Sequence, residues 1–356
     1  MNNSTELLSA NASTSVVRND VSLSDLFIAI ISVAMILIII VAVLGNLLVI
    51  YAFSTHHRLR QNVTNYFVVS LAVSDILTAI FVTTFELDVI LKNGVWLHGV
   101  FICHVWTFMY LLVTPGSIIN LLAVTVDRFL VLRIPLRYTT LMTKRRAIIL
   151  IGALWFYAFL IASLPILGWR MKNHPKVYIG CYFLTTPEYS IFVGLSNFLL
   201  PLIFMCFFWT KIYAIAQKHA KRVKKLEQSL SMIENSNSQI EKSSRNASIS
   251  DENASTKKLF DNPNAASNKK QFKRHLRGSK YIAILVGAFF LCWLPFTCVS
   301  LASSFKRSWY LKIHPSINYA LLTMGYLNSA LNPFLYPFHD RQFREAFKNI
   351  FKRLIR

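Results

Sequence analysis

Acidic residues are scarce in this chain. Its 356 residues include 16 Asp and Glu against 38 Lys and Arg, and only 15% of all residues are charged. A net charge of +22 would point to nucleic acid in a soluble protein. With 54% hydrophobic residues, however, a soluble fold could not hide the apolar sequence, so a membrane protein is expected and nucleic acid is not a partner. The first 20 residues are polar and include Glu6 and Asp20, so no cleavable signal peptide is expected and the first apolar segment acts as its own signal. The C-terminal tail lacks cysteine, which excludes a palmitate anchor. No inverted repeat relates the two halves, which argues against a transporter.

What the chain does have is long apolar runs. Seven reach the length of about 20 residues that a crossing requires. They cover approximately Leu26–Phe53, Thr64–Leu91, Val100–Leu132, Ala147–Leu167, Tyr189–Ala216, Tyr281–Ser304 and Ser316–Phe338. With the N-terminus outside, eight Lys and Arg lie on the outer side and the other 30 at or near the inner face. That bias orients the chain N-out and C-in, as a multi-pass protein of the plasma membrane. The expected organisation is an extracellular tail (1–25), a bundle (26–338) and an amphipathic C-terminal segment (339–356). Within the bundle, residues 217–274 form a long cytoplasmic loop, rich in Ser and Asn from about Ser229 to Asn268 and expected to be largely disordered. Ser248, after Arg245, is either a phosphorylation site or part of a plain solvated linker. Sequons at Asn2, Asn3 and Asn11 fall on the expected outer side, where glycosylation is chemically accessible.

Beyond Phe338, the residues Phe343, Phe347, Ile350, Phe351 and Leu354 recur at helical spacing opposite Arg and Lys, the pattern of a helix lying on anionic inner-leaflet lipid. Cys103 and Cys181 both fall on the oxidising side, so a bridge between them is expected, with a contribution of about 2–5 kcal/mol. Cys206, Cys292 and Cys298 lie in apolar spans and read as buried packing residues.

Each span also carries a residue that hydrophobicity alone does not require. Gly45-Asn46 lies in the first, Asp75 in the second and Trp155 in the fourth. Pro201 lies in the fifth, Cys292-Trp293-Leu294-Pro295 in the sixth and Asn332-Pro333-Phe334-Leu335-Tyr336 in the seventh. The third ends in Asp127-Arg128-Phe129. A charge at mid-membrane costs roughly 2.5–3.5 kcal/mol on insertion scales, and pairing of adjacent opposite charges offsets part of it. The Asp127–Arg128 pair therefore reads as a switch at the inner face.

This ordered set, from Leu26 to about Leu354 without the long loop, resembles the rhodopsin-like (class A) family of G-protein-coupled receptors. The resemblance implies an all-α membrane protein, a seven-transmembrane helix bundle with a C-terminal amphipathic interfacial helix. It implies a receptor, not an enzyme, that converts binding of an extracellular small ligand into activation of a heterotrimeric G protein, with arrestin and receptor kinases as further partners. By the same resemblance Ile118, Pro201 and Phe289 form the transmission core. Arg128 receives the G protein, Leu136 inserts into it, and Tyr336 of Asn332-Pro333-Phe334-Leu335-Tyr336 swings inward on activation. Trp209 stands where the family has a tyrosine partner for Tyr336. His275 stands where an acid often holds the arginine, so basal signalling is expected; a constitutively active receptor or scaffold without a ligand is the alternative.

Asp75 matches the family's allosteric sodium carboxylate, with Ser117, Asn328 and Ser329 as supporting oxygens and no other metal implied; Val113 stands where a further oxygen is usual. The alternative is a protonated Asp75 hydrogen-bonded to Asn46 and Asn332. The sub-branch is similar to biogenic-amine and adenosine receptors. Yet Tyr110 replaces the aspartate of the amine receptors, and Leu184 and Ser300 replace the polar residues of the adenosine type. Tyr326 stands where an opsin needs its lysine. What remains is an aromatic cup of Tyr110, Phe183, Trp293, Phe296 and Tyr326 with Thr107, Thr114, Asn197 and Thr297 as polar handles. Glu86, near its mouth, is either a displaced counter-ion for a cationic ligand or a residue facing water.

Overall fold

The computed structural model describes residues 23–170, 181, 186–243, 284–302 and 313–354. The predicted positions Asn2, Asn3, Asn11, Phe183, Ser248 and His275 lie outside them. The described residues form eight principal helices. They are α1 (Asp25–Thr55), α2 (Thr64–Leu91), α3 (Gly99–Arg133), α4 (Lys144–Leu167), α5 (Pro187–Lys218 as its apolar part), α6 (Ile284–Ala302), α7 (Pro315–His339) and α8 (Arg341–Leu354). Helices α1 to α6 are long and apolar enough to cross a membrane by composition alone. Helix α7 has the length, 25 residues, but carries Thr323, Asn328, Ser329 and Asn332, all buried. The architecture is an all-α seven-helix membrane bundle with amphipathic α8 packed beneath it.

The distribution of side chains is that of a protein dissolved in hydrocarbon. Leu26, Ile30, Leu37 and Leu44 of α1 and Phe156, Leu160 and Leu167 of α4 are exposed, whereas Asn46, Ser74, Asp75, Asn120 and Thr125 are buried. Lipid accepts the first set at no cost, and the second must find partners inside the bundle. Helix α3 is central and packs on α2, α4 and α5, while α7 packs on α1. The α1–α7 contact depends on Gly45: a Cβ there would sit 2.7 Å from Cγ of Pro333. Close backbone approach through a small residue is how helices gain contact without a hydrophobic drive. Asn46 locks the same seam by donating to the carbonyls of Ala42 (2.8 Å) and Ser329 (3.0 Å).

Two helices contain a widened turn. In α5 it covers Gly194–Leu199 and precedes Pro201, whose missing N–H leaves a carbonyl without its helical donor. In α2 it covers Ala79–Thr83, a stretch without proline. Hydroxyls assist there: Thr83 donates to Thr78 O at 3.2 Å and Thr84 to Ala79 O at 2.9 Å. Trp106 of α3 donates to Val82 O at 3.2 Å, bracing the turn from outside the helix. A widened turn holds one extra residue, so every later side chain is rotated by about 100°.

The fold departs from the sequence expectation in four places. Helix α5 does not stop at the membrane edge but runs on over Leu200–Ser243, through the start of the expected loop. No Gly or Pro interrupts it after Pro201, and Lys, Glu, Gln and Leu propagate a helix well in water. Cys206 and Cys298 are exposed rather than buried; they point out of the bundle, where a thiol tolerates hydrocarbon, and only Cys292 is packed inside. In α8, Phe343, Phe347 and Ile350 are buried, with Phe343 stacked 5.5 Å from Tyr336, but Phe351 is half exposed. Asn46 does not reach Asp75, because its amide is committed to the two carbonyls named above. Arg344 meanwhile donates to the carbonyls of Pro337 (2.8 Å) and Phe338 (2.6 Å), satisfying the open end of α7.

Candidate functional site

Four sets of polar and aromatic groups follow one another along the bundle axis. At one end, the disulfide Cys103–Cys181 ties the segment before α5 to the start of α3, as expected. Beside it, Asp88 accepts from Lys92 (2.8 Å) and contacts His98 Nε2 (2.7 Å), next to an aromatic group of Phe85, Trp96 and Trp106.

Deeper lies the aromatic cup. Tyr326 meets Trp293 edge-on with centroids 6.0 Å apart, and Trp293 meets Phe296 at 6.1 Å and Phe198 at 6.2 Å. Gly325 permits the contact, since a Cβ there would lie 3.0 Å from the Trp293 ring. Trp293, Tyr326, Thr114 and Asn197 are buried and Tyr110 and Phe296 half-buried. Asn197 Oδ1 and Thr114 Oγ1 are buried without a hydrogen-bond partner. Glu86 does not face water: it is 7% exposed. The widened turn in α2, Ala79–Thr83, precedes it.

The middle layer centres on Asp75, which is fully buried. Asn332 donates to its Oδ2 at 2.7 Å. Oδ1 has no hydrogen-bond partner, and neither does the buried Asn328 Oδ1. Ser74 donates to Val113 O (3.1 Å) and meets Ser117 Oγ at 2.6 Å. Ser117 and Ser329 are buried in the same layer. Ile118, Pro201 and Phe289, the residues expected to form a transmission core, are buried as well. So are Asn332, Pro333 and Tyr336.

At the far end Asp127 is fully buried and accepts two short bonds, from Thr64 Oγ1 at 2.5 Å and from the Tyr138 hydroxyl at 2.6 Å. Tyr138 sits on the short helix Pro135–Leu141, which Ile134 and Pro135 turn back under α3. Burial first, and then the Asp127 carboxylate, push its phenol above the ordinary tyrosine range, so it remains a proton donor. Arg128 is 8% exposed; its Nη2 lies 3.5 Å from Asp127 Oδ2, and its Nε has no partner. The guanidinium is held by charge rather than by a well-formed hydrogen bond. Leu136 lies on the same short helix. Thr64 and Tyr138 are the functional residues that sequence reasoning missed; the proline-initiated helix eight residues beyond Asp127 was the available signal for Tyr138, and nothing local marked Thr64.

The profile of the seven-transmembrane receptor (rhodopsin family) matches residues 45–336, from Gly45 at the α1–α7 contact to Tyr336. The chain belongs to this receptor family. This rhodopsin-family receptor is 31% identical over 318 residues to the alpha-1A adrenergic receptor of Homo sapiens, covering 88% of the chain and 66% of that relative. It is 32% identical over 319 residues to the octopamine receptor beta-2R of Chilo suppressalis, covering 88% and 78%. The alpha-1D adrenergic receptor of Sus scrofa matches at 31% over 319 residues, with 88% and 55% covered. The chain thus spans about two thirds or less of the adrenergic receptors it matches. The motifs led to class A and to a branch similar to the amine and adenosine receptors; these relatives are class A receptors of the amine side of it.

Proposed function

We propose that the protein is a plasma-membrane receptor, N-terminus outside, that converts binding of a small extracellular ligand into nucleotide exchange on a heterotrimeric G protein. The observation that carries this reading is Arg128. A buried guanidinium near the inner end of α3, with Nη2 3.5 Å from Asp127 and Nε unpartnered, is a donor set poised for an incoming carbonyl or carboxylate. Asp127 is kept from closing on it by Thr64 and Tyr138, which occupy the carboxylate. Leu136 on the adjoining short helix would complete the docking face, and receptor kinases and arrestin would follow activation. The basic face of α8, with Lys348, Lys352 and Arg353, would rest on anionic lipid.

Signal would pass from the cup through Trp293 and Phe289 to Tyr336, with prolines 201 and 333 loosening the helices between. Trp209 supports a modified contact at the end of that path: its buried Nε1 has no partner and can only donate. Asp75, Ser117, Asn328 and Ser329 fit a sodium ion, because two buried oxygens, Asp75 Oδ1 and Asn328 Oδ1, lack donors and hard oxygens suit a small cation. Such an ion would stabilise the resting packing of α2, α3 and α7. Asn2, Asn3 and Asn11 would carry glycans on the outer side.

The test is G-protein nucleotide exchange in membranes from cells expressing the chain. Ligand-independent exchange above that of mock membranes is expected, and Arg128→Ala should remove it at unchanged surface density. Exchange equal to mock membranes, or unaffected by Arg128→Ala, would contradict the reading.

A further inference from the structure

A groove of about 380 Å³ runs between the inner half of α1 and the side of α8, away from the cup and from Arg128. Its wall is apolar. Leu44, Leu47, Leu48 and Tyr51 follow one another along α1, and all but Leu48 are exposed. Ile350 of α8, itself buried, lines the opposite side. One end of the groove is of a different kind: His56, Asn349 and Arg353 line it, and no Asp or Glu does. The imidazole is fixed there, with Nδ1 at 3.0 Å from Thr55 Oγ1 and 3.3 Å from Ala52 O. Asn349 and Arg353 are exposed and have no hydrogen bond or ion pair with any described residue.

Two properties of the groove select its occupant. The first is length. Leu44 and Thr55 lie on the same helix, and at 1.5 Å per residue the rise between them is about 16 Å, close to the half-thickness of about 15 Å that one leaflet offers. The groove thus has the depth of one acyl chain. The second is charge. Arg58 and Arg60 of the short helix His57–Gln61, and Lys352 of α8, add to the positive field at its polar end. Glu345, the acid within α8, is held by Arg341 at 2.6 Å. A guanidinium beside an amide and an imidazole suits a phosphodiester, whose oxygens accept from all three. A sterol brings one hydroxyl and no charge, and would leave Arg353 without a counter-ion.

We propose that this groove binds one anionic glycerophospholipid of the inner leaflet, with an acyl chain along Leu44, Leu47 and Tyr51 and the headgroup phosphate on Arg353, Asn349 and His56. The lipid bridges α1 and α8. Because Phe343 of α8 packs 5.5 Å from Tyr336, a lipid that holds α8 in place also holds the support beneath Tyr336. The inference rests on the membrane placement proposed above and deepens it, from a basic helix face on lipid to a single site for a lipid of stated charge.

The test uses the purified full-length protein in nanodiscs, without G protein or ligand, so that its outcome is independent of coupling. Thermal unfolding is followed as phosphatidylserine replaces phosphatidylcholine. Tm is expected to rise and to saturate while phosphatidylcholine is still in excess. Arg353→Gln should raise the half-saturating phosphatidylserine fraction about fivefold, the effect of one basic residue at an anionic leaflet. Lys352→Gln removes the same charge from the adjoining residue, which does not line the groove, and should leave that fraction unchanged. Both variants should match wild type in phosphatidylcholine alone. Equal Tm with and without phosphatidylserine would overturn the site. So would equal effects of Arg353→Gln and Lys352→Gln, which mark a diffuse surface field, and so would loss of the phosphatidylserine response on adding cholesterol, which gives the groove to a sterol. Arg128-dependent exchange is read in a separate assay, so each of these results leaves the receptor reading to its own test.

Discussion

Replacing Tyr138 with Phe removes one oxygen and tests how Arg128 is held. The Tyr138 hydroxyl lies 2.6 Å from Asp127 Oδ1, in a site where the carboxylate has no solvent exposure. A hydrogen bond to a charged group contributes about 1.5–3 kcal/mol. After the substitution Oδ1 has lost its donor, and a ready replacement is the Arg128 guanidinium, which now stands off at 3.5 Å with an idle Nε. If about half of the lost energy reappears as tighter Asp127–Arg128 pairing, the released form of Arg128 is disfavoured by roughly 0.75–1.5 kcal/mol, a fall of about fourfold to twelvefold in its population. Basal nucleotide exchange, measured at matched surface density, should fall by that factor, with Tm lowered by no more than a few degrees. Thr64→Val removes the donor to Oδ2 and should act in the same direction. Because both donors serve one carboxylate, the double variant should show less than the sum of the two effects. Basal exchange that stays constant or rises in Tyr138→Phe would refute the idea that Tyr138 and Thr64 keep Asp127 away from Arg128.

Three further outcomes are expected. Gly45→Ala places a Cβ at 2.7 Å from the Pro333 side chain, so α1 and α7 must separate; a loss of about 1–3 kcal/mol is expected, read as a lower Tm in detergent, with a smaller loss for Gly325→Ala against the Trp293 ring. Cys103→Ser or Cys181→Ser opens the bridge between α3 and the segment before α5 and should cost about 2–5 kcal/mol, visible as reduced surface expression and a lower Tm. Wild-type protein should unfold at a higher temperature in sodium chloride than in choline chloride, and Asp75→Asn should abolish the difference; equal sodium dependence in the variant would exclude Asp75 as an ion ligand.

The membrane spans were legible because hydrocarbon sets a minimum apolar length, and α1 to α4 and α7 begin and end within about a turn of the expected positions. The motif residues were legible as well: Asp75, Asn332 and Tyr336 are polar groups that lipid would reject, so they had to point inward. Directions set by local backbone irregularity were not legible. Glu86 lies beyond a widened turn that contains no proline, and hydropathy carries no sign of a single extra residue. The donors to Asp127 come from the start of α2 and from a short helix beyond α3, and only packing brings them together. The continuation of α5 to Ser243 was hidden for another reason: its polar residues suit a solvated helix as well as a loop, and composition does not separate the two. The outward-facing Cys206 and Cys298 show that an apolar residue in a span has two solvents available to it, protein and lipid.

The widened turn at Ala79–Thr83 also means that the electrical character of the cup depends on a residue count. Deleting one residue there would let α2 close into regular 3.6-residue turns and swing Glu86 about a quarter-turn from its buried position. The cup would keep all its rings and lose its anion. A single-residue deletion or insertion in this stretch would therefore redirect a buried carboxylate without exchanging any side chain of the cup.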